Sequence, residues 1–310
     1  MAIMRFVVEE EAIRLDVFLA AATGLSRRKT RKLIEAGSVF VDESRVKVQS
    51  RILPKGCCVK THGQLLEKGE EVAPLEILAL SREWIAVNKP VGMPTLPTEQ
   101  ASAGTALDEL SKQLAQQGNQ DSSPARQTLH PVHRLDRETS GVLLFARNAK
   151  AAEALSLPFR ERTAQRRYLA LVEGHVAENF MRVTAPIRKS AKGKAREVHP
   201  EGQSSTSLFT VLLRGKNKTL LSCAPITGRT HQLRLHLAHL GHPLVGDRLY
   251  GASKTTPGLF GLHALFLEVG TSSGPLRFSA PPPKIWVQAC ANDGLSEAAL
   301  HALQSPYRER

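Results

Sequence analysis

Apolar positions recur with two different periods along this 310-residue chain. Near the front, Leu15, Phe18, Leu19 and Ala22 fall on one helical face and Gly24 stops the run, which predicts a helix. RRKTRKLIEAG predicts a second helix, capped by Ser26 and closed by Gly37, with Leu33 and Ile34 turned inward. SVFVDESRVKV alternates with period two around Asp42, Glu43 and Ser44, the pattern of a hairpin. These elements predict a compact module over residues 12–72.

A join is expected near residues 73–80, and a larger unit over 78–300. WIAV predicts a short strand, and Lys89-Pro90 with Gly92 a turn. Thr105 is placed to cap a helix, ALDELSKQLAQ, followed by the polar loop GNQDSSPARQ. The run GVLLFA predicts a strand buried on both faces. A helix is expected from about Ala151 to Arg162, then the strand YLALVEG. Residues 188–206 are basic and polar, a loop or hairpin. LFTVLL and TLLSCAP predict strands, GRTHQLRLHLAHLG a helix with its leading loop, and LHALFLEV a late strand. Strands outnumber helices without regular alternation, which predicts an α+β fold.

Charge changes the picture. The chain carries a net +13, an excess that favours a polyanionic partner. Between Arg27 and Lys60 there are ten Lys/Arg against three acids, so +7 of the surplus lies in about a tenth of the chain. Five of those cations occupy six positions on the second helix. They repel one another unless an anion answers them, so Arg27, Arg28, Arg31 and Lys32 are expected to meet phosphates; a solvated face is the alternative. With Phe18 and Phe40 as the module's aromatics, structured RNA fits better than stacked single strands. Cys57, Cys58, Cys223 and Cys290 form no C-x-x-C pair, and no apolar run reaches signal-peptide or membrane-span length. A reduced cytoplasmic protein without membrane contact is expected, working as a monomer.

HPVHRLDRETSG, residues 130–141, sets Asp136 at the mouth of the GVLLFA strand. A carboxylate there costs free energy unless something pairs with it, although an Asp closing a turn through its backbone is an equal alternative on local grounds. His231, His236, His239 and His242 invite a metal reading, but no thiolate or Glu accompanies them and Gly241 breaks the spacing, so no metal is expected. No Walker P-loop, G-x-S-x-G, G-x-G-x-x-G or H-E-x-x-H occurs.

HPVHRLDRETSGVLLFARN resembles the catalytic motif of the RluA family of RNA pseudouridine synthases, centred on His-Arg-Leu-Asp followed by Thr-Ser-Gly. VNKPVGMPT, RRYLALVEG, GRTHQLRLHLAHLGHPLVGDRLYG and the LHA at 262–264 resemble further motifs of that family, in its order. The front module resembles the alpha-L RNA-binding domain, which is named from a ribosomal protein. The chain departs locally: Cys57-Cys58 follow Gly56, Gln203 stands where a Lys is frequent, and GTSSGPL follows the closing strand.

The resemblance implies the pseudouridine synthase fold, a mixed and mainly antiparallel sheet with flanking helices. It implies isomerisation of uridine: uracil leaves C1′, turns, and rejoins through C5. That reaction is redox-neutral and consumes no water, so no cofactor is expected. Asp136 would be the catalytic carboxylate, as nucleophile or as base for a sugar proton. Arg234 would be its cation and Tyr168 the ring against the uracil. Arg134, His133, Arg229, His231 and Gln232 would contact substrate, with Leu262 in an apolar floor; for His133 a structural hydrogen bond is an equal alternative. Large-subunit ribosomal RNA is favoured over tRNA as partner. The rival readings are a non-catalytic RNA-binding or assembly protein on the same scaffold, and a glycosidase, which lacks a second motif-borne acid.

Overall fold

The computed structural model describes residues 3–25, 27–35, 37–62, 74–97, 104–117, 128–191, 195–253 and 258–295. Two compact units divide the chain between residues 73 and 74.

In the first unit, β1 (Ile3–Val7), β6 (Cys58–His62), β3 (Val39–Val41) and β4 (Ser44–Val46) form an antiparallel sheet in that order. Because β1 pairs with β6 from Ile3↔His62 to Val7↔Cys58, the unit begins before residue 12, where the sequence reading started it. β2 (Ile13–Arg14) and β5 (Ile52–Leu53) pair separately. Helix α1 (Leu15–Thr23) ends on Gly24 at φ 69°, the left-handed cap that glycine adopts freely. Leu15 and Leu19 are buried as expected, but Ala22 is exposed and Asp16 faces inward instead. Helix α2 (Arg27–Glu35) sends Leu33 and Ile34 into the same core; the cap expected at Ser26 lies outside the described residues. Asp42 and Glu43 both hold positive φ between Val41 and Ser44, a turn whose twist matches the flanking strands.

The second unit is built on a sheet that, among the described residues, runs β12 (Phe180–Thr184), β15 (Thr206–Arg214), β16 (Lys218–Pro225), β11 (Gln165–Glu173), β17 (Leu262–Thr271), β10 (Ser140–Ala146), β8 (Trp84–Lys89), β7 (Glu76–Leu80). Strand β18 (Gly274–Ser279) pairs with β17, and β9 (His130–Pro131) with β10. Its neighbours are antiparallel except β10 and β17. The fold is α+β with a mixed, mainly antiparallel sheet. The division between residues 73 and 74 falls at the start of the expected join near 73–80, most of which is taken up by β7, a strand of this sheet.

All seven residues of β10 are buried because helices cover both faces. Leu143 and Phe145 pack with α3 (Ala106–Gln117), while Val142, Leu144 and Ala146 pack toward α4 (Ala149–Arg160). Thr105 Oγ1 accepts from Asp108 N at 3.2 Å and Asp108 Oδ2 accepts from Thr105 N at 3.1 Å, so α3 opens on a reciprocal capping box. Helix α5 (Gln232–His239) packs against Ala170, Phe209, Leu221 and Leu262. Helix α6 (Lys284–Ala291), not anticipated, buries Trp286 on the far face with Leu169 and Leu171. The short hairpin β13 (Ile187–Lys189) and β14 (Arg196–Val198) occupies the basic segment. At the parallel junction Gly141 sits at φ 111° with its Cα against Ala264; a Cβ there would overlap the Ala264 carbonyl.

Candidate active site

Asp136 stands four residues before β10, and its position is fixed from both sides. Thr95 Oγ1 donates to Leu135 O at 2.8 Å and accepts from Leu135 N at 3.1 Å. Gly92 N donates to Arg137 O at 2.9 Å. Lys89, with no solvent exposure, donates from Nζ to Pro90 O and Met93 O at 2.8 Å and to Arg137 O at 3.1 Å. Burial brings its ammonium down to about 7, against the pull of Glu138 and Asp136. The Lys-Pro-x-Gly turn therefore serves as the seat of the Asp136 loop. Thr139 N donates to Asp136 O at 3.1 Å, so the backbone turn is real and leaves the side chain free.

That side chain opens into two connected spaces. One is a cleft of about 1030 Å³ running past Val91, Pro94 and Arg248; the other is a side pocket of about 120 Å³ lined by Tyr168, Arg166 and Leu262. Arg134, Asp136, His231 and Arg234 border both. Arg234 Nη1 lies 3.6 Å from Asp136 Oδ2, and His231 Nε2 3.9 Å from the same oxygen. Both separations exceed a hydrogen bond. The tighter partner of Arg234 is Asp247: Nε donates to Oδ2 at 2.7 Å and Nη2 to Oδ1 at 2.8 Å. Burial works against the Arg234 charge, but the bonds to Asp247 outweigh it and hold the guanidinium protonated. The rings of Tyr250 and Phe260 lie 5.1 and 5.2 Å from its Cζ, a further support for the cation. Asp247 lay within the quoted GHPLVGDRLYG stretch without a role; no periodicity marks it.

His231 opens α5 at φ 59°, a left-handed conformation that a non-glycine side chain rarely adopts. Its Nδ1 and the Tyr250 hydroxyl are 2.8 Å apart, and that hydroxyl accepts from Arg196 N at 3.0 Å. His231 Nε2 faces Asp136. Burial holds the ring below the usual histidine range, with Asp136 opposing.

Tyr168, on β11, is pushed up by burial, with Arg166 opposing. Leu262 is 4% exposed and borders the side pocket. Arg134 is exposed at the mouth, and Arg229 also borders the pocket, its Nε donating to Ser204 O at 3.3 Å.

Of the two readings of His133 the structural one is seen, and the contact expected of Gln232 is corrected. His133 Nε2 accepts from Leu144 N at 3.2 Å, and its ring stacks on Phe159 at 5.0 Å, away from both spaces. Burial takes it down to about 3, so it stays neutral and structural. Gln232 is 4% exposed and fully engaged: Oε1 accepts from Thr227 Oγ1 and Arg229 N, and Nε2 donates to Thr206 O and Ser207 Oγ. It shapes the loop before α5 and has nothing left for a substrate. The other histidines diverge: His236 bonds Ser205 and Ser207 in the core, and His242 Nδ1 meets Glu173 O.

In the front patch an internal acid meets part of the charge. Arg27 Nη2 and Arg31 Nε donate to Asp16 Oδ2 at 3.1 and 2.8 Å, and Arg14 Nε to Oδ1 at 3.0 Å. Burial of Asp16 opposes its ionisation, yet the three arginines together hold its carboxyl well below the usual range. Part of the anion that answers these cations is internal. Arg28 and Lys32 lie on α2, their side chains outside the described residues.

Residues 83–239 match the family model described as RNA pseudouridylate synthase, and residues 13–56 the S4 domain. An uncharacterised RNA pseudouridine synthase of Bacillus subtilis is 33% identical over 92% of this chain and 95% of its own. A ribosomal large subunit pseudouridine synthase C of Vibrio parahaemolyticus is 31% identical over 89% and 87%. The solved structure of human RNA pseudouridylate synthase domain containing 1 covers 79% of this chain and 100% of its own at a TM-score of 0.60 and 26% identity. On the family match over half of its length and on these relatives, this chain belongs to the RNA pseudouridylate synthase family and carries an S4 domain at its front.

Proposed function

We propose that the protein converts specific uridines of large-subunit ribosomal RNA to pseudouridine, with Asp136 as the catalytic carboxylate. The observation that carries this is a carboxylate held on a pinned loop yet short of hydrogen bonds, open to a pocket, with a cation at 3.6 Å that a second carboxylate fixes in place. A carboxylate saturated by donors would be a poor nucleophile or base; this one keeps its lone pairs for the substrate. Asp247 takes Arg234 Nε and Nη2 and leaves Nη1 toward Asp136, so the charge beside the reacting group does not need to be assembled during the reaction.

Tyr168, kept protonated by burial, supplies a flat surface for the uracil and a hydroxyl for proton transfer; Leu262 closes the floor. Arg134, exposed and without a hydrogen bond or ion pair among the described residues, is free to enter the gap left by an extruded nucleotide. The RNA target rests on the S4 domain, the basic surplus and the ribosomal relatives. Such a substrate places the protein in the cytoplasm.

Rejoining through C5 expels the C5 hydrogen, so tritium release from C5-labelled RNA reads turnover. Mapping pseudouridine across total RNA with and without the gene identifies the target. Loss of a site in tRNA instead of large-subunit ribosomal RNA would overturn the substrate assignment.

A further inference from the structure

Beside the catalytic pocket, and sharing Gly228, Arg229 and Thr230 with it, lies a polar basin of about 390 Å³ between those residues and the β13–β14 hairpin. Among the described residues its charged lining is Arg188, Lys189, Arg196 and Arg229 against one acid, Glu201. Arg188 is engaged, with Nε on Glu197 at 2.8 Å and Nη1 on Glu201 at 2.9 Å. That pairing leaves the basin's acid spoken for. Lys189 is exposed and makes no ion pair among the described residues. Arg196 is more telling: its Nε is buried and has no hydrogen-bond partner. A buried, unpaired donor on a charged group is costly, and such exceptions call for an explanation. Its backbone N–H holds the Tyr250 hydroxyl, so the residue is tied to the cluster around His231 and Asp136.

We infer that this basin binds a backbone phosphate of the RNA, next to the nucleotide delivered to Asp136. A guanidinium fork suits a phosphodiester, which presents several acceptor oxygens to adjacent donors. The shared Gly228–Thr230 segment places the basin within a short stretch of backbone from the uridine pocket. The inference rests on the RNA substrate proposed above, and it adds a subsite that the catalytic group does not require.

The test is the salt dependence of binding to an in vitro transcript of large-subunit ribosomal RNA, for the parent and for Arg196→Gln, Arg196→Lys, Lys189→Gln and Arg182→Gln. Each phosphate contact contributes roughly 0.7 to 0.9 to the slope of log affinity against log salt. Arg196→Gln is expected to flatten the slope by about one contact, and Arg196→Lys to restore most of it. Lys189→Gln, exposed and independent of folding, is expected to flatten it in the same direction. Arg182→Gln removes the same charge from the exposed face of β12, outside both spaces, and is expected to keep the parent slope. An unchanged slope in Arg196→Gln with folding confirmed, or an equal flattening in Arg182→Gln, overturns the subsite. So does competition by inorganic phosphate at constant ionic strength without any slope change, which would make this a site for free phosphate. Failure of the proposed reaction would appear separately, as a parent protein that binds RNA but releases no tritium.

Discussion

Two carboxylates in this chain meet arginines, and they are treated in opposite ways. Asp16 in the first unit receives three guanidinium groups at 2.8 to 3.1 Å and is fully buried. Asp136 in the second keeps a side chain 21% exposed, with its cation at 3.6 Å and bound more tightly elsewhere. The first is committed to structure: three guanidinium donors converge on a carboxylate closed off from solvent. The second is deliberately incomplete. An unsatisfied carboxylate costs stability, and a protein retains one where a substrate completes it.

The largest expected effect breaks the second cluster. Asp136→Asn keeps shape and removes charge, and tritium release is expected to fall by about a thousandfold or more, with RNA affinity near that of the parent. A near-parent rate would remove Asp136 from the chemistry.

Next comes the first cluster, attacked from its bases. Arg27→Gln with Arg31→Gln leaves a buried carboxylate with Arg14 alone, and the first unit is expected to lose about 3 kcal/mol in denaturant unfolding. The pH dependence has a defined sign. In the parent, the folded Asp16 pKa lies below its unfolded value, so the stabilisation is present above the unfolded pKa and is lost as pH falls through the folded one. In the double variant the folded pKa moves up toward the unfolded one, so the part of the stability that acid removes is expected to shrink. Identical acid transitions would mean the arginines are ornamental.

Asp247→Asn tests the sharing of Arg234. The guanidinium loses its bidentate clamp while Asp136 is untouched, and kcat is expected to drop on the order of a hundredfold with KM little changed. Combination with Asp136→Asn should add almost nothing, because the residues act as one unit. Full additivity would separate them.

The smallest effect is Asp16→Asn. Its arginines are each roughly half exposed, with side chains 45%, 54% and 43% accessible, so they turn to water once the anion is gone. A loss of about 1 kcal/mol is expected in the same unfolding measurement. A cost matching the double arginine variant would mean that burial of the acid is not what distinguishes this cluster.

Much of the scaffold was legible because it obeys local rules. GVLLFA is apolar at every position and became a strand covered on both faces; Thr105 capped α3, and Gly24 ended α1. The motif residues Asp136, Arg234 and Tyr168 came together around one pocket from β10's mouth, α5 and β11. The misses share a different cause. Asp247 reaches Arg234 across a helix and a turn, an adjacency without a periodic signature. Gln232 reads as a polar group available to substrate, and only its four partners show otherwise. Asp16 lies eleven residues before Arg27, outside any window drawn around the basic run. Strands β1 and β18 and helix α6 are short elements whose identity comes from the sheet and core they join.

The seat beneath the Asp136 loop has a mechanical consequence. With Leu135 held at both its N–H and its carbonyl, and Arg137 O gripped by Lys89 and Gly92, the Asp136 backbone is set like an anvil. It has no slack with which to follow a nucleotide into a helix. In the reaction proposed above, the travel that brings a uridine to Asp136 then belongs to the RNA, and the work of unstacking is recovered from contacts made along its backbone.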